Sequence, residues 1–150
     1  MSIFSNGSVR MSAKTDYAIR ATIELAMAGA TDPANSLTAH AIADAQRIPL
    51  RFLLNILADL RRVSVVDSRR GPNGGWWLSR PANEITVAAV IRAVDGPLVD
   101  VPNPRRSGPH DRGSAESVNE LWVAVGDGVR LILEQTTIGD LANGATKPSS

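Results

Sequence analysis

The chain of 150 residues contains no cysteine. Disulfide bonds, thiolate nucleophiles and cysteine-ligated zinc or iron–sulfur sites are therefore excluded. Long apolar runs are also missing: none approaches the roughly 20 residues that a bilayer-spanning helix needs, and the first ten residues lack the apolar stretch of a secretory signal. We therefore expect a cytoplasmic protein with no membrane partner.

Catalytic and metal-binding patterns are missing as well. No serine, lysine or carboxylate pair stands in a recognisable nucleophile or acid–base arrangement, so an enzyme is not expected. The only histidines, His40 and His110, would need Asp16 or Glu116 beside them, and metal sites use three or four ligands at fixed spacing. We therefore predict no metal and no cofactor.

Positive charge is concentrated in the middle of the chain, although the formal net charge is only +1. From Arg47 to Arg80 seven arginines stand against two aspartates, which leaves +5, whereas from Ser114 to Gly144 one arginine stands against five acidic residues, which leaves −4. This asymmetry indicates a polyanion-binding segment joined to a part that does not touch the polyanion. On charge alone, a solvated basic face is an equal alternative.

The first part of the chain predicts two capped helices. Ser12 can cap a helix that runs to about Ala28, and Thr38 a short helix that runs to about Ala45. Residues 46–48 then make a tight connection to a third helix. Two short helices joined by three residues form the helix-turn-helix pattern, which alone is a weak signal because many helical proteins contain it.

The third helix is amphipathic. Pro49 suits its first position, where the missing amide hydrogen would be unpaired anyway. Arg51, Asn55 and Ala58 lie off the apolar stripe and are expected to face outward. The stripe, spaced at i, i+3, i+4 and i+7, is formed by Leu53, Ile56, Leu57 and Leu60.

A β-hairpin is predicted directly after the third helix. Residues 63–69 are typical of a strand, GPNGG of a turn that needs positive φ at glycine, and residues 76–80 of the returning strand. A hairpin in this place, with two arginines at its tip, is the wing of a winged helix-turn-helix.

The last third of the chain predicts a loop and a long helix that needs a partner. A fourth helix stops at Gly96 and Pro97, and residues 98–113, which include three prolines, form a loop. The last helix opens with Ser117 and Glu120 as a capping box. Its apolar stripe predicts a dimer and consists of Val118, Leu121, Trp122, Val125, Val129 and Ile132.

We therefore predict a mainly α fold with a small β-hairpin wing, built as a winged helix-turn-helix plus a long C-terminal dimerisation helix. The length suits one compact domain with one appended element. The expected boundaries are a flexible extension at 1–10, the winged helix-turn-helix at 11–97, the loop at 98–113, the dimerisation helix at 114–141 and a tail at 142–150.

The sequence resembles the Rrf-two (Rrf2) family of bacterial regulators over residues 11–141. The matching runs are TDYAIRATIELA, IADAQRIPLRFLLNILADLRR and VDSRRGPNGGWWLSRPANEITVAAVIRAVDGPL, and RGPNGG followed by RPxxEIT and VIxAVDG is highly specific. The resemblance implies a homodimer whose long C-terminal helices cross. It also implies that each subunit places one wing and one recognition helix on a palindromic operator in double-stranded DNA. We expect such a protein to act as a repressor.

The chain departs from the family in two places. Sensing members of the family hold an iron–sulfur cluster through three cysteines in the loop before the last helix. The aligned positions here supply no thiolate and fall near Asn103 or Pro104, near Pro109 or His110, and at Glu116 and Asn119. A small molecule or a protein therefore remains an alternative effector in place of a cluster. After the wing glycines stand Trp76 and Trp77, one of which is expected to face outward or into the dimer because adjacent strand residues point to opposite sides.

Polar residues of the middle segment are the candidates for DNA contact. Arginine pairs bidentately with guanine and asparagine with adenine, so Arg51 and Asn55, one turn apart, can read bases in the major groove. Arg69 and Arg70 at the wing tip suit the negative potential of a minor groove. The expected phosphate contacts are Ser12, Lys14 and Thr38. Taken singly, each of these residues is as well explained as a solvated polar side chain.

A winged helix that mainly binds another protein is the alternative function. The missing cluster favours it, because such a regulator must receive its signal in another way, whereas the seven arginines favour DNA. A mobility shift with the DNA upstream of the protein's own gene would separate the two.

We predict that the purified protein shows no iron–sulfur absorbance and binds its operator without a cluster, because no thiolate is available as a ligand. The measurement is visible absorbance with iron and sulfide analysis after anaerobic purification. Stoichiometric iron and sulfide would contradict the prediction.

Overall fold

The computed structural model describes residues 12–95 and 114–144 in full, together with the backbone of 4–5 and 8–9. Several sequence predictions lie mostly or wholly outside these residues: the extension at 1–10, the helix stop at Gly96 and Pro97, the loop at 98–113 and most of the tail at 142–150. No helix in the described part is long and apolar enough to cross a membrane.

The described chain is mostly helical, with strands only in two short antiparallel pairs. The helices are α1 (Ala13–Met27), α2 (Ala39–Gln46), α3 (Leu50–Arg62), α4 (Val87–Asp95), α5 (Ser114–Gln135) and α6 (Ile138–Ala142). The strands are β1 (Phe4–Ser5), β2 (Ser8–Val9), β3 (Val66–Arg69) and β4 (Gly75–Leu78), paired as β1 with β2 and β3 with β4. The succession of α2, α3 and the β3–β4 hairpin confirms the predicted helix-turn-helix and wing.

The predicted caps of the first two helices are confirmed. Ser12 Oγ accepts the Thr15 N–H at 3.0 Å, and Thr38 Oγ1 accepts the Ala41 N–H at 3.1 Å. Pro49, in contrast, is extended and stands one residue before α3, so its predicted place at the first helical position is wrong. The chain needs one extended residue there to leave the turn before α3 begins.

One apolar core lies between α1, α2, α3, α4, α6 and the β3–β4 hairpin. The predicted stripe of α3 is confirmed, since its four side chains are fully buried. Leu25 from α1 and Ile42 from α2 are enclosed with it, and α4 adds Val90 and Ile91. The core therefore holds one side of α3 and leaves the other side at the surface.

Both strands of the hairpin are shorter than the sequence predicted. The expected strand at 63–69 begins only at Val66, because Ser64 has φ +62° and makes a turn directly after α3. The returning strand, expected at 76–80, runs from Gly75 to Leu78. Gly71 has φ +106°, which agrees with the predicted need for a positive φ in the turn.

The last helix is broken in two, so the prediction of one helix at 114–141 is wrong. Thr137 is extended between α5 and α6, and its backbone pairs with that of Thr86 just before α4. Thr136 O accepts from Val87 N–H at 2.9 Å, and Ile85 O accepts from Ile138 N–H at 2.8 Å.

The predicted capping box is also misplaced. Helix α5 begins at Ser114, which puts Ser117 and Glu120 inside it and rules out a capping role at its start. A true capping box opens α6, where Thr137 Oγ1 accepts from Asp140 N–H and Asp140 accepts from Thr137 N–H, both at 3.0 Å.

We predict that Thr137→Ala lowers the free energy of unfolding by about 1 kcal/mol, the usual cost of losing an N-cap. The matched control, Ser117→Ala, should leave stability unchanged or slightly raised, because alanine is the better residue inside a helix. Urea unfolding at one protein concentration measures both. Equal destabilisation by the two variants would contradict the helix bounds described above.

Candidate nucleic-acid interface

The turn between α2 and α3 is held in place by α1. Arg47 closes α2 in the left-handed region with φ +54°, and its N–H donates to Ala43 O. The Arg20 guanidinium of α1 donates to the backbone oxygen of Gln46 and, at 3.3 Å, to its side-chain oxygen. Gln46 in turn donates to Glu24 at 2.7 Å. These hydrogen bonds from α1 hold the turn and thereby restrict the angle between α2 and α3.

The outward side of α3 carries the predicted base-reading residues. Arg51 and Asn55 are both exposed and lie one turn apart, as expected. Within residues 12–95 and 114–144, neither side chain has a hydrogen-bond or ion-pair partner in the protein. Their donors and acceptors are therefore available to a ligand.

Two further exposed side chains on this side of α3 are apolar and were not considered in the sequence analysis. Phe52 is 57% exposed and Leu54 is 45% exposed. The period-3.6 pattern of the sequence places both residues off the buried stripe, but an apolar side chain gives no sequence signal for DNA contact. The outward side of α3 is thus mixed in chemistry.

The wing is fastened to the rest of the domain at its base. Leu37, just before α2, exchanges two backbone hydrogen bonds with Trp76, at 2.9 and 2.7 Å, and Ala30 O accepts from Leu78 N–H at 2.8 Å. A Cβ on Gly75 would lie 2.5 Å from Ser36 Oγ, so this close approach needs glycine. Arg69 and Arg70 at the tip are both exposed.

Neither tryptophan of the wing is exposed. Trp76 and Trp77 are both half-buried and pack against the core. No fully outward indole is seen on the single chain, because each large indole gains by covering apolar surface. That one of them faces into the dimer stays a prediction.

The three expected phosphate contacts differ in their surroundings. Thr38 is exposed at the start of α2, where backbone N–H groups favour an anion. Lys14 Nζ forms an ion pair with Asp59 Oδ2 at 3.0 Å, and Ser12 Oγ donates to Asp95 at 2.9 Å. Thus Lys14 and Ser12 already have protein partners, and their contact with phosphate stays a prediction.

The charges on this side of the domain are not balanced. Both acidic residues of the basic segment are engaged: Asp59 pairs with Lys14 and Arg62, and Asp67 with Arg61 at 3.7 Å. The remaining arginines are exposed without an acidic partner in the described part of the chain and are Arg47, Arg51, Arg69, Arg70 and Arg80. The turn, α3 and the wing thus each carry exposed arginine without an acidic partner in the described part of the chain.

The predicted dimerisation stripe is divided by the fold. Trp122, Val125 and Val129 are half-buried on the side of α5 that also carries the buried Gly126, whereas Val118, Leu121 and Ile132 are exposed. Packing of α5 against α4 explains why Trp122, Val125 and Val129 are half-buried. The apolar surface left free is therefore narrower than the sequence indicated.

A regular row of exposed residues runs along the free side of α5. It has spacings of 3, 4 and 3, typical of a coiled-coil seam, and consists of Leu121, Ala124, Gly128 and Leu131. We call this row the outer seam. The sequence pattern did not distinguish Ala124 and Leu131, because it does not show which part of the apolar stripe α4 covers.

The histidine pair does not form a site in the described residues. His40 is exposed on α2, and His110 lies outside the described part. Asp16, considered as a further ligand, accepts from Arg20 at 3.1 Å. Among residues 12–95 and 114–144, no three His, Asp or Glu side chains converge as a metal site.

Residues 11–144 match the model of the Rrf2 family, described as an iron-dependent transcriptional regulator. A helix-turn-helix transcriptional regulator of Mycobacterium tuberculosis is 39% identical over 137 residues, which cover 91% of this chain and 83% of the relative. The transcriptional regulator IscR of Cereibacter sphaeroides is 31% identical over 147 residues, which cover 93% of this chain and 91% of the relative.

Solved structures agree with this likeness. The structure of CymR, the global cysteine regulator of Bacillus subtilis, superposes with a TM-score of 0.74 at 28% identity. The match covers 92% of this chain and 99% of the CymR chain. A transcriptional regulator from Listeria innocua superposes with a TM-score of 0.73 at 28% identity, covering 92% of this chain and 89% of its own. The relatives named here are regulators and not enzymes. The chain therefore belongs to the Rrf2 family and is a winged-helix, DNA-binding regulator of transcription.

Proposed function

We propose that the protein is a homodimeric, sequence-specific repressor that binds a palindromic operator and works without a cysteine-ligated iron–sulfur cluster. The observation that carries this proposal is the outward side of α3, where Arg51 and Asn55 are exposed and have no protein partner. In helix-turn-helix proteins the first residues of the second helix contact base edges in the major groove. Arg51 and Asn55 lie in the first two turns of α3.

The wing supplies a second point of contact in the proposed complex. Its base is tied by backbone hydrogen bonds to the segment before α2, so its tip keeps a constant position relative to α3. Arg69 and Arg70 would then reach the minor groove beside the major groove that α3 enters. Thr38, Lys14 and Ser12 would hold phosphates and set the register, although Lys14 must share its charge with Asp59.

Dimerisation through the outer seam would complete the operator-binding unit. Small residues at Ala124 and Gly128 allow two helices to approach closely between Leu121 and Leu131. A two-fold axis at this seam would place two copies of α3 on half-sites about one helical turn of DNA apart, some 34 Å. A dimer bound across a promoter represses by occupancy alone.

The signal that controls the protein must reach it without the family's cluster ligands. The family description names iron, but the chain has no thiolate. The described residues also lack a converging set of three other ligands. We therefore propose a small-molecule or protein effector, and derive no step through a cluster.

We predict that Arg51→Ala and Asn55→Ala each cost about 1–3 kcal/mol on the operator and much less on unrelated DNA, because a lost base contact removes discrimination. Lys14→Ala should instead weaken binding to all duplexes alike and lower the salt slope by about one unit. Arg69→Ala and Arg70→Ala should depend on A·T content near the site.

The measurement is a salt titration of binding for each variant on operator and random duplexes of equal length. Equal losses on both duplexes for Arg51→Ala and Asn55→Ala would show that α3 is not the reading element. Failure of the wild-type protein to bind either duplex would favour the alternative of a winged helix that mainly binds another protein.

We predict that Leu121→Glu converts the dimer to a monomer at micromolar concentration, because it places a charge in the middle of the apolar seam. Val123→Glu is the matched control: Val123 is also exposed but lies on the other side of α5, so this variant should remain dimeric. Sedimentation velocity measures both. A dimeric Leu121→Glu variant, or a wild-type monomer, would exclude the seam as the interface.

A further inference from the structure

Four exposed side chains cover the first two turns of α3, and two of them are apolar. Single exposed apolar residues are common on protein surfaces and need no explanation. Phe52 and Leu54, however, flank the two polar residues already assigned to base reading, Arg51 and Asn55. Phe52 and Leu54 lie on opposite flanks of the strip that Arg51 and Asn55 present, because residues two apart on a helix do not face each other. A groove that encloses the outward side of α3 therefore meets one apolar side chain on each flank.

The spacing within this group makes each apolar side chain the neighbour of a polar one. Arg51 and Leu54 are three residues apart, as are Phe52 and Asn55, and residues at this spacing have Cβ atoms about 5–6 Å apart on one helix face. That distance is less than two base-pair steps of about 3.4 Å each. Neighbouring side chains of the group can thus contact the same or adjacent base pairs.

The major groove offers these apolar side chains a matching group. Each A·T pair presents the C5-methyl group of thymine there, next to the donor and acceptor atoms that arginine and asparagine recognise. The surrounding charge favours this occupant over an apolar protein groove, because Arg47 and Arg51 are exposed without an acidic partner among the described residues. Double-stranded DNA is a polyanion that exposes thymine methyl groups in its major groove. It therefore matches both the positive charge and the apolar side chains of α3.

We propose that Phe52 and Leu54 are specificity-determining residues that pack on thymine C5-methyl groups beside the bases read by Arg51 and Asn55. The proposal rests on the proposed function, since it needs α3 in the major groove. It adds a preference for thymine at base pairs next to those that Arg51 and Asn55 read by hydrogen bonding.

The test removes the methyl group from the DNA without changing the protein. Wild-type protein first selects duplexes from a random 30-base-pair library, and the selected duplex is then synthesised with deoxyuridine in place of one thymine at a time. Deoxyuridine keeps the pairing and the O4 acceptor and lacks only the C5-methyl group. We expect affinity to fall about fourfold at the contacted thymines, the value of one buried methyl-sized group.

Protein variants then assign each methyl to a side chain. In Phe52→Ala or Leu54→Ala, the deoxyuridine penalty should disappear at the thymine that the lost side chain contacted and persist at the other. Met27→Ala is the matched control, because Met27 is equally exposed but lies at the end of α1, and it should keep every penalty. Thermal unfolding of the variants should match the wild type, since both α3 side chains are exposed.

Two results would overturn the proposal. One leaves sequence-specific DNA binding intact, and the other contradicts it as well. If selection enriches a sequence but no deoxyuridine weakens binding, or every penalty persists in both variants, the methyl contacts are absent while sequence-specific binding stands. If selection enriches no sequence, sequence-specific binding fails together with this inference.

Discussion

The enclosure of one side of α3 is the constraint on which the DNA-binding surface depends. Leu53, Leu57 and Leu60 are fully buried among side chains of α1, α2, α4 and β3, and burial of such a side chain stabilises a fold by about 1.5–3 kcal/mol. Rotation of α3 about its axis would expose this stripe and is therefore costly. The opposite side, with Arg51 and Asn55, is presented in one orientation, which bidentate base contacts require.

Polar and backbone contacts hold the turn before α3 and the wing, whose positions the buried stripe does not set. The buried stripe sets the rotation of α3, whereas Arg20, through its hydrogen bonds to Gln46, sets the path of the turn that leads into it. The paired backbones of Leu37 and Trp76 do the same for the wing. The two elements that we propose to contact DNA therefore share one framework, which restrains their position relative to each other.

The α5–α6 junction links that framework to the proposed dimer seam. Thr136 and Ile138 are hydrogen-bonded to the backbone on either side of the start of α4, and Arg92 of α4 forms an ion pair with Glu134 of α5. The C-terminal end of α5 thus cannot shift independently of α4. Because α4 also packs against α3, it lies between the helix that carries the proposed seam and the proposed reading helix.

The sequence by itself determined the helix-turn-helix, the wing and the outward placement of Arg51, because periodicity, caps and turn glycines depend on neighbours a few residues away. It did not determine that Lys14 is paired with Asp59, that half of the α5 stripe is covered, or that the last helix breaks at Thr136. Periodicity places Phe52 off the buried stripe, but only the structure shows that no distant segment of the described chain covers it. These features were decided by the tertiary structure alone, since each arises where segments distant in the chain meet.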